Sequence, residues 1–238
     1  MKKRKNIIKI AIDSPAAAGA GTVAKTISTY YNLFYLDTGK IYRYIAYLKI
    51  KYPKKFRKKF LKSKIKSLTV KKLSNKKLLS DEIGTEASII SKIKNIRKMV
   101  YSLQINFAYN PPRKYKGSCL DGRDITYKIV PDADFKFYIT ANVKTRATRR
   151  FKELKSLKKN ISFSEVLKSI KKRDKNDLNR KISPLKKTKD SLLINTTNLT
   201  KRACFLKIKK IIDKSKKFNG NLSRPVKPSL ERIWRIIK

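Results

Sequence analysis

The chain has 238 residues, of which 63 are Lys or Arg and 16 are Asp or Glu, so its formal net charge is +47. It contains no histidine, which excludes His-based triads, histidine proton relays and most zinc sites. Its two cysteines, Cys119 and Cys204, lack metal-ligand spacing, and we expect both to be buried apolar side chains in a reducing compartment.

The N-terminal segment MKKRKNIIKIAIDSPAAAGA has the basic start and the small residues of a secretory signal. Its apolar run is interrupted by Lys9 and ends at Asp13, so the segment lacks the uninterrupted apolar region of about 7–15 residues that such signals need. No stretch approaches the roughly 18 apolar residues of a membrane span. We therefore expect a cytoplasmic protein.

The next residues predict a strand, a loop, a helix and a second strand. The β-branched run 7–12 is typical of a buried strand, 20–32 can form a helix, and 33–37 is again strand-like. This βαβ order predicts a parallel sheet and an α/β fold.

The remaining elements follow the same alternation. Apolar periodicity predicts a helix over 40–61 and another over about 85–108, and we expect the Lys-rich stretch 49–80 to be an exposed, variable insertion. Strands are predicted at SCLDGRD, where a polar turn follows, and at 134–140 and 191–196. Helices are predicted at 143–157, at 162–180 with a capping box of Ser162 and Glu165, and at 199–217, before a basic tail over 218–238.

The loop IDSPAAAGAGTVAK, residues 12–25, has the spacing of a phosphate-binding loop, G-x-x-x-x-G-K-[ST]. Such a loop works through converging backbone N–H groups and the N-terminus of the following helix. Ser14 stands at the first glycine position and Ala20 at the lysine position. The candidate ATP-binding residues are Ser14, Pro15, Ala16, Ala17, Ala18, Gly19, Ala20, Gly21 and Thr22.

Two other interpretations of this loop remain open at this point. Gly19, Gly21 and Ala24 match the dinucleotide pattern G-x-G-x-x-A, with Asp37 in the place of the ribose-binding acid. That pattern normally begins directly after the strand, whereas five residues, 14–18, intervene here, which favours the phosphate loop. A tight turn of small residues without a ligand is the third interpretation.

Several further segments resemble, in order and spacing, the signatures of bacterial cytidylate kinases. They are LDTGKIYR (36–43), EIGTEAS (82–88) followed by Arg97, LDGRDI (120–125), VPDADFKFYITA (130–141), RATRRFKEL (146–154), RDKNDLNR (173–180) and SPLKKTKDSLLINTTNLT (183–200). The resemblance runs from about residue 7 to 213 and leaves 50–80 and the tail poorly covered.

The resemblance implies a P-loop nucleoside-monophosphate-kinase fold, with a parallel sheet flanked by helices. Residues 1–217 would form one kinase domain, with a monophosphate-binding insertion over about 40–108 and a lid over about 145–180. It implies transfer of the terminal phosphoryl group of ATP to CMP or dCMP, with Mg²⁺ held mainly by phosphates and water.

The resemblance also implies roles for residues outside the loop. The acceptor phosphate would be held by Thr38, Arg43, Arg97 and Arg123, and cytosine and sugar would be recognised by Ser88, Arg173 and Asp177. Asp37 is grouped with these substrate-binding residues. The catalytic candidates are Arg123, Asp124 beside it, Arg180, which would reach the transferring phosphate, and Arg146 of the lid.

The chain departs from the family pattern at Ser14, Ala18 and Ala20, and again at Thr126 and Tyr127, where a Gly-Thr pair is usual. Loss of one preorganised charged contact typically costs about 10²–10³ in rate, so we expect impaired transfer. Lys25 is over one helical turn away from position 20 and is a poor substitute. The candidate substitutes are Arg146, Arg149, Arg150 and Lys40.

Two alternatives to an active kinase follow from the same features. Ala20 is compatible with a catalytically inactive nucleotide-binding descendant of the family, and the charge of +47 with a basic RNA-associated protein. The excess is mostly Lys spread along the chain, which favours compositional drift over a dedicated nucleic-acid surface. We therefore expect weak, non-specific nucleic-acid binding, a monomeric state and no membrane partner.

Overall fold

The computed structural model describes residues 7–156 and 160–215, together with 230 and 233. Within them lies one parallel sheet in the order β2-β3-β1-β4-β5. Its strands are β1 (Ile8–Asp13), β2 (Leu33–Asp37), β3 (Gly117–Gly122), β4 (Phe135–Thr140) and β5 (Leu192–Asn195). Asp13 pairs in register with Gly122, and Asp37 with Asp121, so the carboxyl ends of three strands meet at one edge, where ligands bind in open α/β sheets.

Helices cover both faces of this sheet, so the predicted α/β class is confirmed. Over the described residues they are α1 (Ala20–Tyr31), α2 (Gly39–Lys51), α3 (Lys58–Lys66), α4 (Val70–Leu73), α5 (Asp81–Ile90), α6 (Lys94–Tyr109), α7 (Val143–Ser156), α8 (Phe163–Asn179) and α9 (Lys201–Asp213). Short 3₁₀ turns occupy Pro53–Lys55 and Lys76–Leu79, and a π-helical turn occupies Ile125–Ile129.

The core forms on the two faces of the sheet because strand side chains alternate between them. Ile10 and Ile12 of β1 pack with α1 and with Phe205 of α9, whereas Ala11 faces the cluster built from α2, α5 and α6. The helices α7 and α8 enclose a small cluster of their own. Both predicted buried cysteines, Cys119 and Cys204, are free and buried.

The two long helices predicted on either side of the Lys-rich stretch are each broken. The helix expected over 40–61 ends at Lys51, because Pro53 starts a 3₁₀ turn and the helix resumes only at Lys58. The helix expected over about 85–108 begins at Asp81 and is interrupted after Ile90. Arg97 donates to the carbonyl oxygen of Ser91 at 3.1 Å, a contact that holds this break open.

The expectation that 49–80 is simply an exposed insertion is wrong for its apolar positions. The lysines of this stretch face outward, but Leu61, Ile65, Leu68, Leu73 and Leu78 are all buried in the cluster formed by α2 and α6. The amphipathic spacing of these leucines therefore makes the stretch part of the core.

The C-terminal half agrees closely with the predicted elements. The capping box at α8 is confirmed, with Ser162 and Glu165 bonded to each other's backbone. The predicted basic tail lies outside the described residues except for Leu230 and Ile233, and Ile233 is fully buried beside α9. None of the helices formed by the described part of the chain is both long and apolar enough to cross a membrane.

Candidate active site

The loop between β1 and α1 lines a cleft of about 840 Å³ at the carboxyl edge of the sheet. Gly19, with φ of 88°, turns the chain into α1, and Ala17, with φ of 58°, also has left-handed backbone. Ser14 is outside that region, and its N–H donates to the carbonyl oxygen of Gly122 at 3.1 Å. The backbone at position 14 therefore does not require glycine, and the serine found there causes no strain.

Asp13, the last residue of β1, ties the loop to the turn after β3. Its carboxylate accepts hydrogen bonds from the Ile125 and Thr126 backbone N–H groups at 2.8 and 2.9 Å, and from the Thr126 hydroxyl at 2.6 Å. Burial nevertheless raises the pKa of Asp13 to about 6. The threonine at 126 thus contributes a hydroxyl group that a glycine would lack.

Two carboxylates face the cleft from the ends of β2 and β3. Asp121 is buried and its Oδ1 has no hydrogen-bond partner among the described residues. Burial, followed by the neighbouring charge of Asp37, raises the pKa of Asp121 well above its ordinary range, although the Tyr35 hydroxyl bonds to it. Sequence reasoning missed Asp121 and Tyr35, even though a carboxylate at the end of a predicted strand is a recognisable signal.

Four of the guanidinium groups that line the cleft form a cluster: Arg173 lies close enough to Arg43, Arg123 and Arg150 for their charges to act on it. The Nε of Arg173 is buried without a hydrogen-bond partner among the described residues. Burial, and then the positive charges of Arg43, Arg123 and Arg150, lower the pKa of Arg173 to about 10. Such crowding of like charges fits a site that binds a multiply charged anion.

Backbone carbonyl groups hold two members of this cluster in place. Arg43 donates to the carbonyl oxygens of Leu78 and Ser80 at 2.7 and 3.0 Å, and Arg150 donates to that of Leu79 at 3.1 Å. The residues that carry these carbonyls lie in the stretch expected to be an exposed insertion. Its folded 3₁₀ turn therefore positions two arginines of the cleft.

The predicted acceptor residues lie beside the cluster in one polar network. Arg123 Nε lies 2.7 Å from Asp177 Oδ2, and Asp177 lies 3.7 Å from Arg180. Burial alone would raise the pKa of Asp177, but the charge and hydrogen bond of Arg123, together with the charges of Arg180 and Arg173, outweigh burial and lower the pKa. Arg180 in turn contacts the Ser91 hydroxyl at 3.4 Å.

The same network includes the residues contributed by α5 and α6. Arg97 forms a buried ion pair with Asp124, and Asn176 of α8 lies 3.4 Å from the Ser88 hydroxyl. The structure thus brings together Ser88, Arg97, Asp124, Asp177 and Arg180, which come from three separate regions of the chain: α5 and α6, the turn after β3, and the end of α8.

The predicted site residues divide into those that line the cleft and those behind it. The cleft is lined by the nine loop residues 14–22 and by Asp37, Arg43, Arg123 and Arg173. Thr38 lies behind, donating to the Asp121 carbonyl oxygen at 2.7 Å. Arg146 also lies behind the loop, where it pairs with Asp174 at 2.6 Å and donates to the Ala16 carbonyl oxygen at 3.0 Å.

Among the proposed substitutes for the missing lysine, Arg149 and Arg150 line the cleft, whereas Arg146 and Lys40 do not. Lys25, expected to be a poor substitute, is exposed and outside the cleft. Thr196, at the end of β5, was not identified from the sequence. It lies against both the loop and Arg149.

Comparison with known proteins gives a consistent result. A family model described as cytidylate kinase matches residues 10–214. A protein named cytidylate kinase from Bartonella tribocorum is 42% identical over 197 residues, covering 82% of this chain and 90% of its own length. One of the same name from Clostridium botulinum is 38% identical over 220 residues, covering 87% and 95%. A crystal structure of an uncharacterized protein from Eubacterium ventriosum superposes with a TM-score of 0.53 at 15% identity, over 87% of this chain and 99% of that one, and shows the shared fold.

Proposed function

The chain belongs to the cytidylate kinase family, and from that premise we propose that it transfers the terminal phosphoryl group of ATP to CMP or dCMP through the residues of the cleft. The observation that carries this proposal is the cluster of Arg43, Arg123, Arg150 and Arg173, which lines the cleft together with the phosphate loop. An anion held between the loop and the cluster relieves the repulsion that lowers the pKa of Arg173.

The division of labour follows from the two sides of the cleft. The loop amides and the N-terminus of α1 bind the phosphates of ATP. The arginines hold the acceptor phosphate and the transferring group, because phosphoryl transfer depends on positioning and on positive charge around the equatorial oxygens. Guanidinium groups suit this task, since each offers paired donors and stays charged.

Asp37 and Asp121 are the residues that would hold Mg²⁺. Both line the cleft, they carry the oxygen ligands that this ion prefers, and the buried Asp121 Oδ1 has no partner among the described residues. Two carboxylates are fewer than an octahedral ion needs, so phosphates and water supply the remaining ligands. An ion held there would supply positive charge to offset that of the phosphates. The hydrogen bond from Tyr35 and the positive charges of Arg123 and Lys40 oppose the rise in the pKa of Asp121, and a bound cation would favour the ionised carboxylate further.

The network behind the cluster recognises the acceptor. The carboxylate of Asp177 can accept a hydrogen bond from the cytosine amino group, and Ser88 and Arg173 provide donors for the carbonyl edge and the sugar. In the structure these groups bond to one another, as with Arg123 and Asp177 at 2.7 Å. Binding of CMP exchanges such contacts for contacts with the nucleotide.

We further propose that the protein is a cytoplasmic monomer whose exposed lysines bind nucleic acid only weakly. Binding that rests on dispersed charge falls steeply as salt concentration rises. The family assignment does not favour a dedicated RNA-associated protein or an inactive descendant.

The experiment is a coupled assay with ATP and Mg²⁺ and with CMP, dCMP or UMP as acceptor. The control variant is Arg173→Met, which removes one charge of the cluster and keeps most of the apolar side-chain volume. We expect turnover with CMP and dCMP to fall at least about 100-fold in the variant, while thermal stability is kept or raised because charge repulsion is relieved. Parent turnover no greater than that of the variant would contradict the proposal, and calorimetry showing CMP binding without ATP binding would then identify an inactive descendant.

A further inference from the structure

The phosphate loop has no cation of its own, since Ala20 stands where the loop lysine belongs. We propose that Arg149 of α7 supplies this charge to the donor phosphates. It would replace the loop lysine with a cation that comes from a different element of the fold. The inference rests on the proposed function, because it assigns a residue to the ATP side of the same cleft.

Arg149 lies against the residue that precedes the vacant lysine position. Its Nη1 is 3.8 Å from the point that a Cβ on Gly19 would occupy, and its side chain lines the cleft together with the loop. Ala20 itself is buried at the first position of α1 and presents only a methyl group. The guanidinium is therefore close to the loop amides that face the donor phosphates.

Thr196 fixes the position of this guanidinium. Arg149 Nη1 donates to the Thr196 hydroxyl at 2.9 Å, and Nη2 donates to the Thr196 carbonyl oxygen at 2.6 Å. The Thr196 hydroxyl also lies 3.1 Å from the Ala18 carbonyl oxygen. Loop, threonine and arginine thus form one connected unit, and the charge is held in place before any ligand binds.

The charge of Arg149 also has no carboxylate partner within the described part of the chain. Its acceptors are the hydroxyl and carbonyl groups of Thr196 and the carbonyl oxygen of Leu199, at 3.5 Å, all of them neutral. These three contacts leave two of the five guanidinium N–H donors without a partner among the described residues. Burial lowers the pKa of Arg149, so an anion bound beside it would relieve an unfavourable environment.

The other candidate substitutes already have carboxylate neighbours. Arg146 pairs with Asp174 at 2.6 Å, and Arg150 with Glu153 at 2.9 Å. Lys40 interacts electrostatically with Asp121, and its positive charge opposes the rise in the pKa of that carboxyl. Arg149 is thus the candidate that combines contact with the loop, a fixed position and a charge without an acidic partner among the residues described.

The test is a double-mutant cycle of Arg149→Ala and Ala20→Lys. In the parent we expect Arg149→Ala to lower kcat/KM for ATP by about 10²–10³. In the Ala20→Lys background the restored lysine binds the same phosphates, so we expect Arg149→Ala to lower kcat/KM for ATP by less than about tenfold. Equal losses in the two backgrounds, as expected for a residue that contacts only the adenosine part of ATP or only supports the fold, would overturn the inference.

A second measurement is independent of turnover. Calorimetry with inorganic tripolyphosphate reports contacts with phosphate alone, and Arg149→Ala should raise its Kd at least about tenfold in the parent. The matched control is Lys144→Ala, which removes one charge from an exposed position of the same helix and should leave this Kd within about twofold. If the parent fails to phosphorylate CMP and the tripolyphosphate effect remains, the proposed function fails while the assignment of Arg149 stands. An unchanged Kd refutes the assignment whatever the activity.

Discussion

Replacement of Asp13 by Asn should change the pH dependence of stability in a way that can be calculated from the structure. The carboxylate is fully buried and joins the start of the phosphate loop to the turn after β3 through three hydrogen bonds. Burial raises the pKa of Asp13 from 3.8 to about 6, and the hydrogen bonds oppose this rise only in part. The folded state therefore holds the proton more tightly than the unfolded chain does.

Because the folded state binds the proton more tightly, the free energy of unfolding falls as pH rises through the two pKa values. Below about pH 3 the carboxyl is protonated in both states, and its full contribution to stability is present. Between pH 4 and 6 the unfolded chain loses the proton first, so the free energy of unfolding falls as pH rises. Since each pH unit of displacement corresponds to about 1.4 kcal/mol, the total loss is about 3 kcal/mol. Asn does not ionise, so Asp13→Asn lacks this loss.

The assay is urea denaturation of the parent and the variant at half-unit steps from pH 4 to pH 8. The Asn amide places a donor against the Ile125 or Thr126 N–H, a penalty of about 1–3 kcal/mol that does not depend on pH. We therefore expect the parent to be the more stable protein at pH 4, with its advantage shrinking by about 2–2.5 kcal/mol by pH 7. A difference that stays constant over this range, or that grows, would refute the reasoning.

Three further substitutions test separate parts of the site. Ser14→Gly should lower the free energy of unfolding by about 0.5–1 kcal/mol, because the position does not need glycine and the change only loosens the unfolded chain; stabilisation in a urea titration would show that the serine is strained. Gly84→Ala would place a Cβ 2.8 Å from Arg43 Nη2 and displace that guanidinium, so we expect kcat/KM for CMP to fall about 10–100-fold. Unchanged kinetics would show that Arg43 does not bind the acceptor. Ser162→Ala removes the hydroxyl that accepts from the Glu165 N–H and should cost about 1 kcal/mol in thermal or urea unfolding, with no loss if α8 is held by packing alone.

Local signals sufficed for the sheet and for the loop. The predicted strands 7–12 and 33–37 lie within a residue of the observed ones, because short apolar runs, β-branched in the first and partly aromatic in the second, are specified by neighbours in sequence. The helix breaks at 52–57 and 91–93 were missed. The second of these depends on Arg97, whose contact with the Ser91 carbonyl forms only in the folded chain. Helical periodicity on both sides of a break carries no information about such a contact.

Site residues that stand close together in one sequence motif could be predicted from the sequence. Residues that come together only when the chain folds could not. Arg123 and Asp124 stand next to each other in the chain, as do the members of the loop, and the family resemblance located them. Arg149 could only be narrowed to one of four candidates, because its relation to Gly19 is set by the packing of α7 beside the end of β5. Asp121 lies within the motif LDGRDI, but the motif does not indicate that this residue lines the cleft, because its position there depends on the order of the strands.

The large net positive charge says little about the candidate site. The burial of individual side chains distinguishes the arginines that have defined partners from the lysines that lie on the surface. The buried cations among the described residues are Arg97, Arg146 and Arg180, and no lysine is buried with them. Burying a cation is unfavourable unless specific partners or a ligand offset the lost hydration, so a general drift toward basic residues accumulates on the surface. Lysine on the surface is screened by salt and binds any polyanion weakly. At the cleft, carbonyl groups hold Arg43 and Arg150 and a carboxylate holds Arg123 in fixed directions, so these arginines can bind a phosphate group in one defined position.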